Sequence, residues 1–207
     1  DAFQEVDTTG ISRPITKHNY LVKNTEHLTR VFKEAFFIAK TGKPGPVLID
    51  IPVDVQRGEV DFDYPETIEI RSYKPVYNGH PVQIERALSL IETSRQPLIL
   101  AGGGVISANA SEQLIKFVEK TNIPVALTLM GLGSFPTEHP LHLGMVGMHG
   151  TRYGNNAIME TDLLIAVGCR FDDRVTGKIS EFAPHAKIIH IDIDPAEIGK
   201  NIPAYHA

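Results

Sequence analysis

The chain has 207 residues, a formal charge of −5, 42% hydrophobic and 22% charged side chains, and one cysteine. These proportions supply a core and exclude a disordered chain, and the lack of any block of lysines or arginines argues against nucleic acid or an anionic membrane as partner. No run approaches the roughly eighteen apolar residues of a membrane span. The acidic start DAFQEVD is unlike a signal peptide, and the lone Cys169 rules out an internal disulfide and fits a reducing compartment.

The length exceeds the usual domain of about 100–150 residues, so one and a half to two domains are expected, and a start without methionine reads as a piece of a longer protein. Residues 1–22 read as irregular to extended, punctuated by Gly10, Pro14 and Thr16-Lys17-His18-Asn19. Asn24 or Thr25 caps an amphipathic helix running to about Lys40 and stopping at Gly42, because Leu28, Val31, Phe32, Ala35, Phe36 and Ala39 recur at three- and four-residue spacing. Residues 46–52, apolar between prolines, read as a short buried strand that ends an α/β unit. Between 54 and 81 the period dissolves, as in an interdomain linker.

From Val82 the alternation resumes. It predicts a helix over 84–93, a strand over 98–101, a helix over 110–121 and a strand over 124–129. A long glycine-rich loop over 130–150, a helix over 152–161 and strands over 163–167 and 187–193 follow. This order implies an α/β fold with a doubly wound parallel sheet and ligands at the carboxyl ends of its strands. The chain ends before the expected closing helix.

The strand that closes on Gly102, Gly103 and Gly104 reads as a nucleotide cradle, since glycines let the backbone approach a pyrophosphate at a helix start. The fingerprint is incomplete: Ser107 takes its last glycine position and no acid ends a strand about twenty residues on. A tight turn packed on a neighbour competes equally. His139, His142 and His149 lack the ligands that would complete a metal site. The run Arg170-Phe171-Asp172-Asp173-Arg174 leaves a buried strand where ligands bind, or is an exposed face of alternating charge. Asp192 and Asp194, on one side of a strand, either accept ribose hydroxyls or cap a helix begun by Pro195.

The strings DAFQE, TKHN, PGPVLIDIP, AGGGVIS, LTLMGLGSFP, LGMVGMHGT, VGCRFDDRVTGK and HIDIDPAEIGKN resemble, in order, the catalytic subunit of the acetolactate (acetohydroxyacid) synthase family. The resemblance implies that residues 1–55 end a pyrimidine-binding domain, that 56–81 are a linker, and that 82–207 form most of an FAD-binding domain. The family condenses pyruvate with pyruvate or 2-oxobutyrate, losing CO2, on thiamine diphosphate and Mg2+, with FAD present but without net redox, in branched-chain amino-acid synthesis. It implies 2-ketoacid substrates, a cytoplasmic or organellar location, and a homodimer or homotetramer that admits a regulatory small subunit.

Carried across, the family's active-site positions fall on Phe3, Gln4, Arg174 and Met148, the arginine engaging the second ketoacid's carboxylate. Positions along FAD fall on Gly102, Gly103, Gly104, Thr128, Leu129, Gly147, Met148, His149, Gly168, Arg170, Asp172, Arg174, Val175, Asp192 and Ile193. Val53 stands where the family commonly has lysine, and Lys43 where it commonly has arginine. The family's thiamine-activating glutamate is expected before Asp1 and its metal and diphosphate domain after Ala207, so these residues alone are expected to be inactive and to hold no metal. Rival readings are another thiamine carboligase, such as glyoxylate carboligase, which FDDRVTG argues against; a module with a redox-active flavin; and a structural domain without ligand.

Overall fold

The computed structural model describes residues 5–207. They divide into two units, one reaching Tyr77 and the other Asn78–Ala207.

In the first unit α1 (Thr8–Ser12) starts where the Asp7 carboxylate accepts the Gly10 amide at 2.8 Å, and β1 (His18–Leu21) follows. Both lie in a stretch expected to be irregular to extended, and each is too short to show a period. α2 (Leu28–Lys40) buries the stripe Val31, Ala35 and Ile38. β2 (Val47–Asp50) pairs parallel with β1, His18 opposite Val47 and Leu21 opposite Asp50. α3 (Val53–Arg57) adds Val55 to a small core with Val22 and Val31. Residues 58–80 carry no helix or strand, yet Tyr73 is tied to this unit. The Lys17 ammonium donates to its hydroxyl at 2.9 Å and to the Ile38 and Thr41 carbonyls at the end of α2.

The second unit runs α4 (Pro81–Thr93), β3 (Pro97–Ala101), α5 (Gly103–Ser107), α6 (Ser111–Thr121) and β4 (Val125–Leu127). It continues with β5 (His142–Met145), α7 (Arg152–Glu160), β6 (Leu163–Val167), α8 (Asp173–Thr176) and β7 (Lys187–Ile191). All five strands are parallel, in the order β5-β4-β3-β6-β7, so the connections reverse direction between β3 and β6. Successive side chains of a strand point to opposite faces, and two cores result. Leu98, Leu100, Leu164, Ala166 and Ile188 meet Ile158 of α7, Phe171 and Ala183 on one face. Ile99, Ala101, Val125, Leu127, Ile165 and Ile189 meet Leu90 of α4 and Leu114 and Val118 of α6 on the other. Each such fully buried Leu or Ile contributes about 1.5–3 kcal/mol, which is why these strands read as unbroken apolar runs.

Three expectations are corrected. The loop expected over 130–150 contains β5, an edge strand with a register shift against β4 and a glycine, Gly144, at φ +79. The strand expected to reach Leu129 stops at Leu127, because the Thr128 hydroxyl caps a 3-10 turn, Leu129–Gly131, by accepting the Gly131 amide. β7 stops at Ile191, so Asp192 and Asp194 do not share a strand face. They make successive turns, Asp192 accepting the Asp194 amide at 2.9 Å and Asp194 that of Ala196 at 3.1 Å, and no helix begins at Pro195.

Candidate functional site at the carboxyl edge of the sheet

Between β3 and β6 the strand order reverses, and there the loops leaving the two strands would ordinarily part and leave a crevice. In this chain they lock together at the base. The Gly102 amide donates to the Val167 carbonyl and the Gly104 amide to the Gly168 carbonyl, each at 2.9 Å. A Cβ on Gly102 would lie 2.3 Å from the Gly168 oxygen, and one on Gly131 would lie 2.3 Å from the Ala101 oxygen. The glycines at 102, 104, 131 and 168 are therefore required by backbone packed on backbone, which is the tight-turn reading of the triplet. Gly103 faces Met130, whose Cβ would be 3.0 Å from an added Cβ.

Above this base the carboxyl ends gather the expected residues. Leaving β6, Gly168 stands at φ +59 and donates its amide to Ile191 of β7 at 2.8 Å. Arg170 and Asp172 form a 3.3 Å ion pair, exposed enough to be worth little. Asp172 caps α8, its carboxylate accepting the Arg174 and Val175 amides at 3.1 Å. Phe171 does not alternate outward with these charges: it is 2% exposed, at φ +53, edge-on to the buried His190 and with its carbonyl accepting the Asn201 amide group at 2.8 Å. Val175 packs against the core. Arg174 extends outward, its backbone oxygen accepting the Met148 amide at 2.9 Å and so joining the turn of residues 147–149 to α8.

An apolar rim accompanies these charges. Leu129, Met130, Met148 and Ile193 are 66%, 75%, 62% and 49% exposed at the ends of β4, β5 and β7. Met130 and Gly131 escaped the sequence reading, although a glycine four residues past a strand was a signal for Gly131. The histidines separate: His139 and His142 both pack on Phe135, at ring centroid distances of 4.8 and 6.3 Å, while His149 lies exposed beside Met148. Phe3 and Gln4 lie outside the described residues. Val53 is exposed at the first position of α3, in the other unit. Beneath the rim, burial pushes the Cys169 thiol up to about 12, with Asp192 and Asp172 adding to the rise, which disfavours the thiolate.

Residues 84–207 match the family described as thiamine pyrophosphate enzyme, central domain. The chain belongs to the thiamine pyrophosphate enzymes. It is similar over nearly its whole length to proteins that carry one name. A probable acetolactate synthase large subunit of Methanocaldococcus jannaschii is 58% identical over 207 residues, 99% of this chain and 35% of that protein. The acetolactate synthase large subunit of Corynebacterium glutamicum is 56% identical over 200 residues, 97% of this chain and 32% of that protein. That of Haemophilus influenzae is 49% identical over 205 residues, 98% and 36%. The chain thus spans about a third of the length of these relatives. The locked glycines, the capped α8 and the apolar rim all lie within the residues that match the central domain.

Proposed function

We propose that the chain is a segment of an acetolactate synthase large subunit whose central domain holds FAD along the carboxyl edge of its sheet and turns Arg174 and Met148 toward the catalytic site. The observation that carries this reading is the 49–58% identity to proteins of that name along 97–99% of the chain. The edge residues fit a flavin nucleotide. Its ring is broad and apolar, matching exposed Leu129, Met130, Met148 and Ile193, and its pyrophosphate is anionic, matching the outward Arg170. The amides of Gly102 and Gly104 are spent within the protein, so the charge of the pyrophosphate would be answered by a guanidinium and not by these amides. Asp192, whose carboxylate also accepts the Asp194 amide, would accept hydrogen bonds from nucleotide hydroxyls.

Bound thiamine diphosphate, with Mg2+, would supply the carbanion chemistry that joins two ketoacids with loss of CO2. This chain's part is to position and to exclude water. A guanidinium fork on Arg174 grips the planar carboxylate of the incoming 2-ketoacid through two charge-assisted hydrogen bonds, and Met148 beside it forms a dry wall. The test uses the full-length protein. It should purify with flavin absorbance and convert pyruvate to acetolactate, measured as acetoin after acidification, when thiamine diphosphate and Mg2+ are added. No product overturns the reaction, full turnover of flavin-free protein overturns the role of FAD, and bleaching of the flavin by pyruvate under anaerobic conditions would point to redox chemistry instead.

A further inference from the structure

The Asn155 carboxamide engages Gly147 with both of its polar atoms. Its oxygen accepts the Gly147 amide at 2.9 Å, and its nitrogen donates to the Gly147 carbonyl at 3.0 Å. This is the exchange of two hydrogen bonds that one strand residue makes with its antiparallel partner, performed by a side chain on a helix. Only one orientation of the carboxamide satisfies both groups, so the assignment of its nitrogen follows from the partners. Gly147 needs this hold, since it stands at φ +104, where residues with a side chain rarely go.

What lies against Gly147 gives the contact its consequence. A Cβ there would sit 2.3 Å from the Arg174 carbonyl oxygen, and the Met148 amide donates to that same oxygen at 2.9 Å. The turn carrying Met148 and His149 is therefore held between the Asn155 carboxamide and the Arg174 backbone. Asn155 is fixed in turn. Its amide donates to the Thr151 carbonyl at 3.0 Å, while the Thr151 amide donates to Met145 at 2.7 Å and its hydroxyl to the Leu143 carbonyl at 2.8 Å, which anchors the start of α7 to β5. A continuous set of hydrogen bonds runs from β5 through α7 and Asn155 to the Gly147 turn and on to α8.

We propose that Asn155 is a positioning residue that sets how the Gly147 turn stands against Arg174 and, resting on the function proposed above, how tightly the flavin nucleotide binds between Met148 and that arginine. Aspartate keeps the acceptor but sets a carboxylate against the Gly147 carbonyl; leucine keeps the volume and loses both bonds; serine cannot reach. A purely structural asparagine would change stability and let affinity follow it.

The experiment uses the full-length protein as Asn155→Asp, Asn155→Leu and, as a control in the same helix that leaves the clamp intact, Ile158→Val. Amide hydrogen exchange of peptides covering 146–150 and 172–176 should accelerate together in both Asn155 variants and in neither for Ile158→Val. FAD added to flavin-stripped protein, followed by quenching of its fluorescence, should bind about tenfold more weakly to the Asn155 variants than to Ile158→Val at matched thermal stability. Acceleration confined to 146–150 overturns the coupling to Arg174, and FAD affinity that simply tracks melting temperature across the three variants overturns the positioning role. Should the unaltered protein bind no FAD, the flavin reading falls and the exchange result alone decides the coupling.

Discussion

Gly104 and Gly168 meet backbone to backbone: a Cβ built on the first would lie 2.5 Å from the Cα of the second, and one built on the second 2.6 Å from the Cα of the first. Neither neighbour is the flexible end of a side chain, so the two loops must separate to admit a methyl group. Gly168→Ala is strained twice, by this clash and by φ +59. We expect Gly104→Ala to cost about 2 kcal/mol and Gly168→Ala about 3 kcal/mol, read as shifts of the urea midpoint. Gly133→Ala calibrates the conformational part alone, because at φ +90 an added Cβ meets nothing within 4 Å. A Gly168→Ala shift no larger than that of Gly133→Ala would remove the clash from the account.

Asp162 ties the start of β6 to the turn before β3. Its carboxylate accepts the Ser94 hydroxyl, the Arg95 amide at 2.8 Å and the Gln96 amide at 3.1 Å. Partial burial opposes ionisation, but the three hydrogen bonds outweigh it and hold the carboxyl below its ordinary value. A group whose folded value is depressed stabilises the protein above its unfolded value of about 3.9 and loses that contribution as pH falls through the lower folded value. Asp162→Asn should therefore cost about 1 kcal/mol near pH 7 and flatten the acid limb of the stability curve below about pH 4. An unchanged acid limb in the variant would show that the charge contributes nothing.

The elements legible in the sequence were those with enough residues to display a period. α2 shows its apolar stripe at Val31, Ala35 and Ile38, and β3 and β6 are unbroken apolar runs because both faces are covered. β5 was not legible: four residues with a glycine, pairing one neighbour through a register shift, carry no sustained alternation. The placement of Tyr73 was equally hidden, since a single phenol bonded to Lys17 leaves no pattern among the prolines around it. The glycines, arginines and paired aspartates singled out in the sequence lie at the carboxyl ends of β3, β6 and β7. Their duties could not be read from spacing, because Asp172 caps its own helix and Asp192 its own turn through backbone amides that any residue supplies. Asn155 left no signal at all, one polar residue among several on the surface of α7.

Cys169 provides a chemical test of the buried base of the site. It is 5% exposed, and burial pushes its thiol up to about 12. At pH 8 the folded protein should resist iodoacetamide and react only in denaturant, because thiolate is scarce and unreachable. Modification of the native protein at the rate of a free thiol would mean that the loop after β6 opens readily and that the glycine lock at its base is weak.

Arg174 separates a ligand-binding surface from an ordinary charged one. Its guanidinium is 72% exposed and stands 4.0 Å from Asp173, itself 79% exposed, a pair worth little to stability in water. The contacts that shape the loop come from its backbone: its amide donates to Asp172, and its carbonyl accepts from Met148. Shortening the side chain leaves these bonds in place, so Arg174→Ala should keep the urea midpoint within about 0.5 kcal/mol of the parent. If the fork holds the carboxylate of the second 2-ketoacid, the same change in the full-length enzyme should raise the KM for that substrate by about tenfold. Arg174→Lys should recover only part of the loss, since an ammonium restores the charge and not the paired geometry. Asp173→Ala, which removes only the neighbouring charge, should leave KM within about twofold of the parent at moderate salt. Equal rises in KM for Asp173→Ala and Arg174→Ala would reduce Arg174 to one charge among several on this edge, whereas a rise confined to Arg174 that lysine half restores is the signature of a fork closing on a carboxylate.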